Sequence, residues 1–127
     1  MKWIQITRGK PQPRGKNDDY PGLMNVDVEL KSAPPREWAD YFSTPFAAPM
    51  RLSMHQPMLS GSTVRLMPPD DEFDDYIQHL DARIAATNEW YERNVLPQRL
   101  AAEERTKREQ EEDTARLAEA KRKAERY

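Results

Sequence analysis

The sequence predicts a small α+β domain: an antiparallel sheet of about four strands in the order β-β-α-β-β-α, covered on one face by helices and followed by a long charged C-terminal helix. Three observations carry that prediction. Residues 23–31 alternate, with Met24, Val26, Val28 and Leu30 against Asn25, Asp27, Glu29 and Lys31, and side chains on a strand point to opposite faces with period two. Phe73, Ile77, Leu80, Ile84, Tyr91 and Val95 recur at helical spacing, the stripe of a helix lying across a sheet. From Glu103 to Thr114 there is no apolar residue at all.

Taken in order, residues 2–7 form a first strand with Ile4 and Ile6 on one face. Residues 8–22 hold three prolines and three glycines and read as a loop. The alternating strand follows. Pro34 and Pro35 then sit where a first-turn N–H has no partner anyway, and Trp38, Tyr41 and Phe42 fall on one face of a short helix that Pro45 ends. Met50, Leu52 and Met54 alternate with Arg51, Ser53 and His55, and Thr63 to Met67 alternate again. These predict a hairpin whose connection, residues 56–62, is too long for a tight two-residue turn. If Leu52 lies opposite Val64, Arg51 lies opposite Arg65, and the wet face of the sheet carries Asp27, Glu29, Arg51, His55 and Arg65.

The helix that opens at Pro68, Pro69 and Asp70 has Tyr76 and Trp90 on its flanks and Asn88 interrupting its stripe. Pro97 kinks or restarts it, because proline removes one N–H and clashes with the preceding turn. Residues 1–96 are thus a head domain and residues 97–127 a charged helical tail. The tail cannot form a regular coiled-coil seam, since Leu117 is the only large aliphatic after Leu100. Acid-before-base pairs favour helix instead: Glu103 with Lys107, Glu104 with Arg108, Glu112 with Arg116, Glu119 with Lys123. Its apolar contacts lie at its two ends.

Composition narrows the function classes. The chain has 127 residues, 37% hydrophobic and 33% charged, so its core is small and support from a partner or oligomer is expected. It has no cysteine, which excludes disulfides, thiolate metal sites and cysteine nucleophiles. No stretch reaches the ~18 apolar residues of a membrane span, and a cytoplasmic protein is the expectation. The net charge of -2 conceals a split: residues 1–17 carry five bases and no acid, whereas residues 70–96 carry eight acids against two bases.

The catalytic motifs with a recognisable framework are missing. No Gly-x-Ser-x-Gly elbow or phosphate-cradling glycine loop occurs. Asp71, Asp74, Asp75 and His79 suggest a metal-dependent hydrolase, but acids in a first helical turn also satisfy free N–H groups and the helix dipole, and that reading is the stronger one. No catalytic, cofactor or metal residue is therefore assigned, and no small-molecule substrate is evident.

What the residues favour is a non-catalytic accessory or adaptor subunit acting through protein–protein contact. Its head docks on a larger partner or on itself, with the charged helix as spacer or brace. The expected contact residues are Met58 and Leu59 in the hairpin loop and Leu100, Leu117 and Tyr127 on the tail. The alternative is a small nucleic-acid-binding protein, in which Arg8, Lys10, Arg14 and Lys16 follow phosphates from a mobile loop.

Overall fold

A computed structural model describes residues 3–127. The sheet is built around the segment with the clearest alternation. Strand β2 (Met24–Glu29) buries Val26 and Val28 completely and leaves Asn25, Asp27 and Glu29 toward solvent. It pairs on one side with β1 (Gln12–Lys16) and on the other with β4 (Thr63–Leu66). Strand β3 (Met58–Ser60) pairs with β4, which gives the antiparallel order β1-β2-β4-β3 among the described residues.

Two strands lie elsewhere than expected. The N-terminal one is β1, inside the predicted loop, rather than residues 2–7. Of the latter, Lys2 lies outside the described residues, and residues 3–7 form no strand. Ile4 is exposed while Ile6 is buried, so the two do not share a face. The reason is that Ile6 finds its backbone partners on a side chain: its N–H donates to Asn88 Oδ1 at 3.1 Å, and its carbonyl accepts from Asn88 Nδ2 at 2.9 Å. All five residues of β1 are exposed, so no apolar alternation marks it. Its position at the sheet edge tolerates Pro13, and the register shift between Pro13 and Gly15 leaves Arg14 as the extra residue of a bulge.

The second correction concerns the hairpin. Met50, Leu52 and Met54 are not in a strand, and Leu52 is fully exposed. β3 and β4 are instead joined by Gly61 and Ser62 alone, with Gly61 at φ +62°. A two-residue hairpin turn needs positive φ at its first position, which glycine supplies without strain. The register sets Met58 opposite Arg65 and Leu59 opposite Val64, so Arg51 does not face Arg65, and neither Arg51 nor His55 belongs to the sheet.

The helices cover the apolar face. α1 (Arg36–Phe42) buries Trp38 and Phe42, whose rings stack at 5.2 Å. After a 3-10 turn at Asp70–Glu72, α2 (Phe73–Asn94) lays Tyr76, Leu80, Ile84 and Tyr91 into the core. Tyr76 is therefore central rather than flanking, whereas Phe73, Ile77, Trp90 and Val95 pack around the rim. Tyr41 and Trp90 stack at 4.3 Å where α1 meets α2. The helix breaks at Val95, and α3 (Leu96–Ala124) starts with Pro97 in its first turn, a position where the missing N–H costs nothing. No residue of α3 is buried.

Candidate interaction surfaces

The head is held by polar groups inside the apolar stripe of α2. Asn88 is 6% exposed and meets Trp38 Nε1, which donates to its Oδ1 at 2.9 Å, in addition to the two groups of Ile6. One side chain thus ties the N-terminal segment, α1 and α2. Thr87 is satisfied within the helix by donating to the Arg83 carbonyl at 2.7 Å.

Arg83 is fully buried. It meets no carboxylate among the described residues. Its Nη1 donates to the carbonyls of Phe42 at 2.5 Å and Thr44 at 2.7 Å, its Nη2 lies 3.1 Å from Met50 Sδ, and the guanidinium sits over the Phe42 ring. Burial lowers its pKa, as it must for a cation removed from water. Its Nε donates to His79 Nε2 at 3.2 Å, so His79 must be neutral there. Burial first, and the Arg83 charge second, push the His79 pKa down, while a hydrogen bond to the Pro49 backbone opposes them.

These contacts pin the segment between α1 and β3 onto α2. Further ties come from the His55 N–H, which donates to Tyr76 Oη at 3.0 Å, and from Arg51, which contacts Glu72 at 2.6 Å and Asp75 at 3.6 Å. The candidate metal residues are thereby dispersed. Asp75 faces Arg51, His79 uses both ring nitrogens inside the protein, and among the described residues no group of three His, Asp or Glu side chains is placed to hold a metal ion.

The basic residues of the N-terminal segment divide in two. Arg8 forms a two-pronged pair with Asp81, at 2.5 and 3.0 Å, and Arg14 reaches Asp27 at 3.3 Å and Gln12 at 2.6 Å. Lys10 and Lys16 are exposed and enter no ion pair among the described residues. Asp27 also accepts from Arg65 at 2.8 and 3.1 Å, and hydrogen bonds from Arg65 hold its carboxyl below the usual carboxylate range. The wet face of the sheet is thus a line of cross-strand ion pairs rather than a free acidic patch.

The expected contact residues are also separated. Met58 is 57% exposed, while Leu59 packs against the core. Leu100 and Leu117 are exposed on α3, and Tyr127 is exposed beyond it. Between α1 and β3, Phe46 at 82% and Leu52 at 107% are also exposed, although the sequence does not mark either as a contact. Both lie in the pinned segment, where a non-repeating chain gives no periodic signal of which side faces out. Where α3 leaves the head, Arg99 pairs with Glu37 of α1, whose carboxyl this hydrogen bond holds below its usual range.

No family model, curated protein or solved structure matches this chain. No helix among the described residues is long and apolar enough to cross a membrane.

Proposed function

We propose that this protein is a non-catalytic accessory subunit of the cytoplasm that works by protein–protein contact, its head docking on a larger partner or on itself and its charged helix serving as spacer or brace. The observation that carries this reading is α3. It is a 29-residue helix with no buried side chain, about 44 Å long at 1.5 Å per residue, and anchored to the head by Arg99 and Glu37 near its start. Beyond its first turn, where Leu96 packs against the core and Arg99 meets Glu37, the helix is exposed on all sides, which suits bridging between bodies.

The test compares the full chain with one ending at Leu96 in affinity capture from the native host, together with light scattering of both. Loss of a partner on removing α3 alone supports the reading. A monodisperse monomer that captures nothing overturns it.

The nucleic-acid reading draws on the fully exposed edge strand β1, with Lys10 just before it and Lys16 at its end. Arg8 and Arg14, already engaged with Asp81 and Asp27, would have to exchange carboxylate for phosphate. Its measurement is DNA or RNA binding against salt concentration. Neutralised phosphates make the affinity fall steeply with salt, and alanine at Arg8, Lys10, Arg14 and Lys16 should abolish it.

A further inference from the structure

We propose that α3 pairs with α3 of a second copy of this chain, antiparallel and centred on Leu117. This deepens the reading of α3 as a contact element and rests on it.

The order of charge along the helix selects the partner. Residues 109–113 contain Glu109, Glu111, Glu112 and Asp113 and no base, and residues 121–123 are Lys121, Arg122 and Lys123. The two blocks flank Leu117 at similar distances on either side. Ion pairs within α3 join Glu104 to Arg108 and Glu119 to Arg122, so the four acids of the first block, Lys121 and Lys123 enter none among the described residues. A parallel pairing in register would set acid on acid and base on base. An antiparallel pairing about Leu117 sets each acidic block against the basic block of the other copy, and a two-fold axis makes every such contact occur twice.

Helical geometry sharpens this to named contacts. At 3.6 residues per turn, Gln110, Asp113, Leu117, Ala120, Lys121 and Ala124 share one side of the helix. Leu117 is 57% exposed there, and the two alanines let a second helix approach closely. Antiparallel pairing then brings Asp113 against Lys121 of the partner subunit. On one flank it also brings Glu109 and Glu112 toward Lys123 of the partner subunit.

The heads do not interfere. Leu96 lies 21 residues before Leu117, about 31 Å along the helix, so the two heads stand ~60 Å apart at opposite ends of the pair. One leucine and two alanines per copy bury little apolar area, so the dimer is of the weak class that charge steers and salt loosens.

The experiment is sedimentation of the full chain at low salt across a concentration series, with circular dichroism of each variant to report its helicity. Wild type should associate to a dimer. Asp113→Lys and Lys121→Asp should each weaken association by roughly tenfold, since each turns two attractive contacts repulsive. The double variant D113K/K121D, which restores opposite charges across the two-fold axis, should recover it. A monomeric wild type, single variants that associate unchanged, or a double variant that stays monomeric overturns the pairing. If the chain is monomeric but loses a captured partner when α3 is removed, the pairing fails and the accessory-subunit reading survives.

Discussion

Arginine acts differently in the head and in α3. In the head, Arg8, Arg14, Arg51 and Arg65 each reach a carboxylate on another element, with partners 13 to 73 positions away in sequence. In α3, Arg99 at its start still reaches Glu37 of α1, but Arg108 and Arg122 pair with acids four and three positions back. Distant ties hold elements in register with one another. Local ties only favour the helix that contains them, by about 0.2 to 0.5 kcal/mol each. Arginine pairs therefore help fix the tertiary structure of the head, whereas beyond Arg99 those of α3 support only their own helix, and the two regions should respond to mutation on different scales.

The largest difference should come from apolar truncation. Trp38 is fully buried between the sheet and α2, and Trp38→Ala should lower unfolding stability by about 3 to 5 kcal/mol through lost transfer energy and the cavity left behind. Leu117→Ala truncates a side chain that is 57% exposed on α3 and should change unfolding stability by less than about 0.5 kcal/mol. Chemical denaturation of both variants measures the contrast. Comparable losses would mean that α3 packs on the head in a way its exposure denies.

The next effect tests whether buried polar groups hold the head together. Asn88→Ala leaves the Ile6 N–H, the Ile6 carbonyl and Trp38 Nε1 without their partner. Each stranded buried group costs about 1 to 3 kcal/mol, reduced wherever water reaches it, so a loss of about 2 to 4 kcal/mol is expected. The same denaturation curves decide this. A loss below that of an ordinary surface substitution would show that residues 3–7 do not depend on Asn88.

How legible these features were in sequence follows from where each residue ends up. β2 and the α2 stripe could be read because each has one dry and one wet face, and the period of the element appears directly in the residues. β1 could not, because an edge strand exposed on both faces has no alternation to show, and its Pro13 and Gly15 resemble loop residues. β3 is three residues long, too short for a pattern, and its tight turn was masked by the false alternation of Met50, Leu52 and Met54. The polar hub had a signal that sequence reading treated as an interruption. Arg83, Thr87 and Asn88 fall on the same side of α2 as Leu80, Ile84 and Tyr91, and polar residues within an apolar stripe are either an error of register or buried groups with distant partners. Arg83 and Asn88 are the latter, with partners 41 and 82 positions away, while Thr87 bonds within its own helix.

A smaller effect separates the regions by pH. His79 is held neutral in the fold, and its pKa is lowered by burial and by the Arg83 charge. The unfolded chain binds a proton on this imidazole near its ordinary value of about 6.5, whereas the folded chain resists it to lower pH. The stability it contributes is therefore present above about pH 6.5 and is lost as pH falls through the folded value. Replacing His79 with Gln, which keeps a neutral acceptor for Arg83, should flatten the decline of the denaturation midpoint between about pH 7 and pH 5. Equal slopes in the two proteins would mean that acid weakens the head through its carboxylates alone. Helicity of α3 should not follow this titration, since neither His79 nor Arg83 contacts it.

The smallest effect runs in the stabilising direction and probes the core beside the α2–α3 break. Tyr91 is completely buried, its ring 4.4 Å from that of Trp3. Its hydroxyl has no hydrogen-bond partner, alone in this among the buried side-chain polar atoms of the described residues. A tyrosine that keeps its ring contacts but wastes its hydroxyl carries a desolvation cost that phenylalanine avoids without changing shape. Tyr91→Phe should therefore be neutral or raise unfolding stability by up to about 1 kcal/mol, the reverse of the usual sign for a core substitution. A loss of more than about 1 kcal/mol would mean that the hydroxyl is bonded in solution. In that case the junction from which α3 departs would be held by a polar contact rather than by ring packing alone.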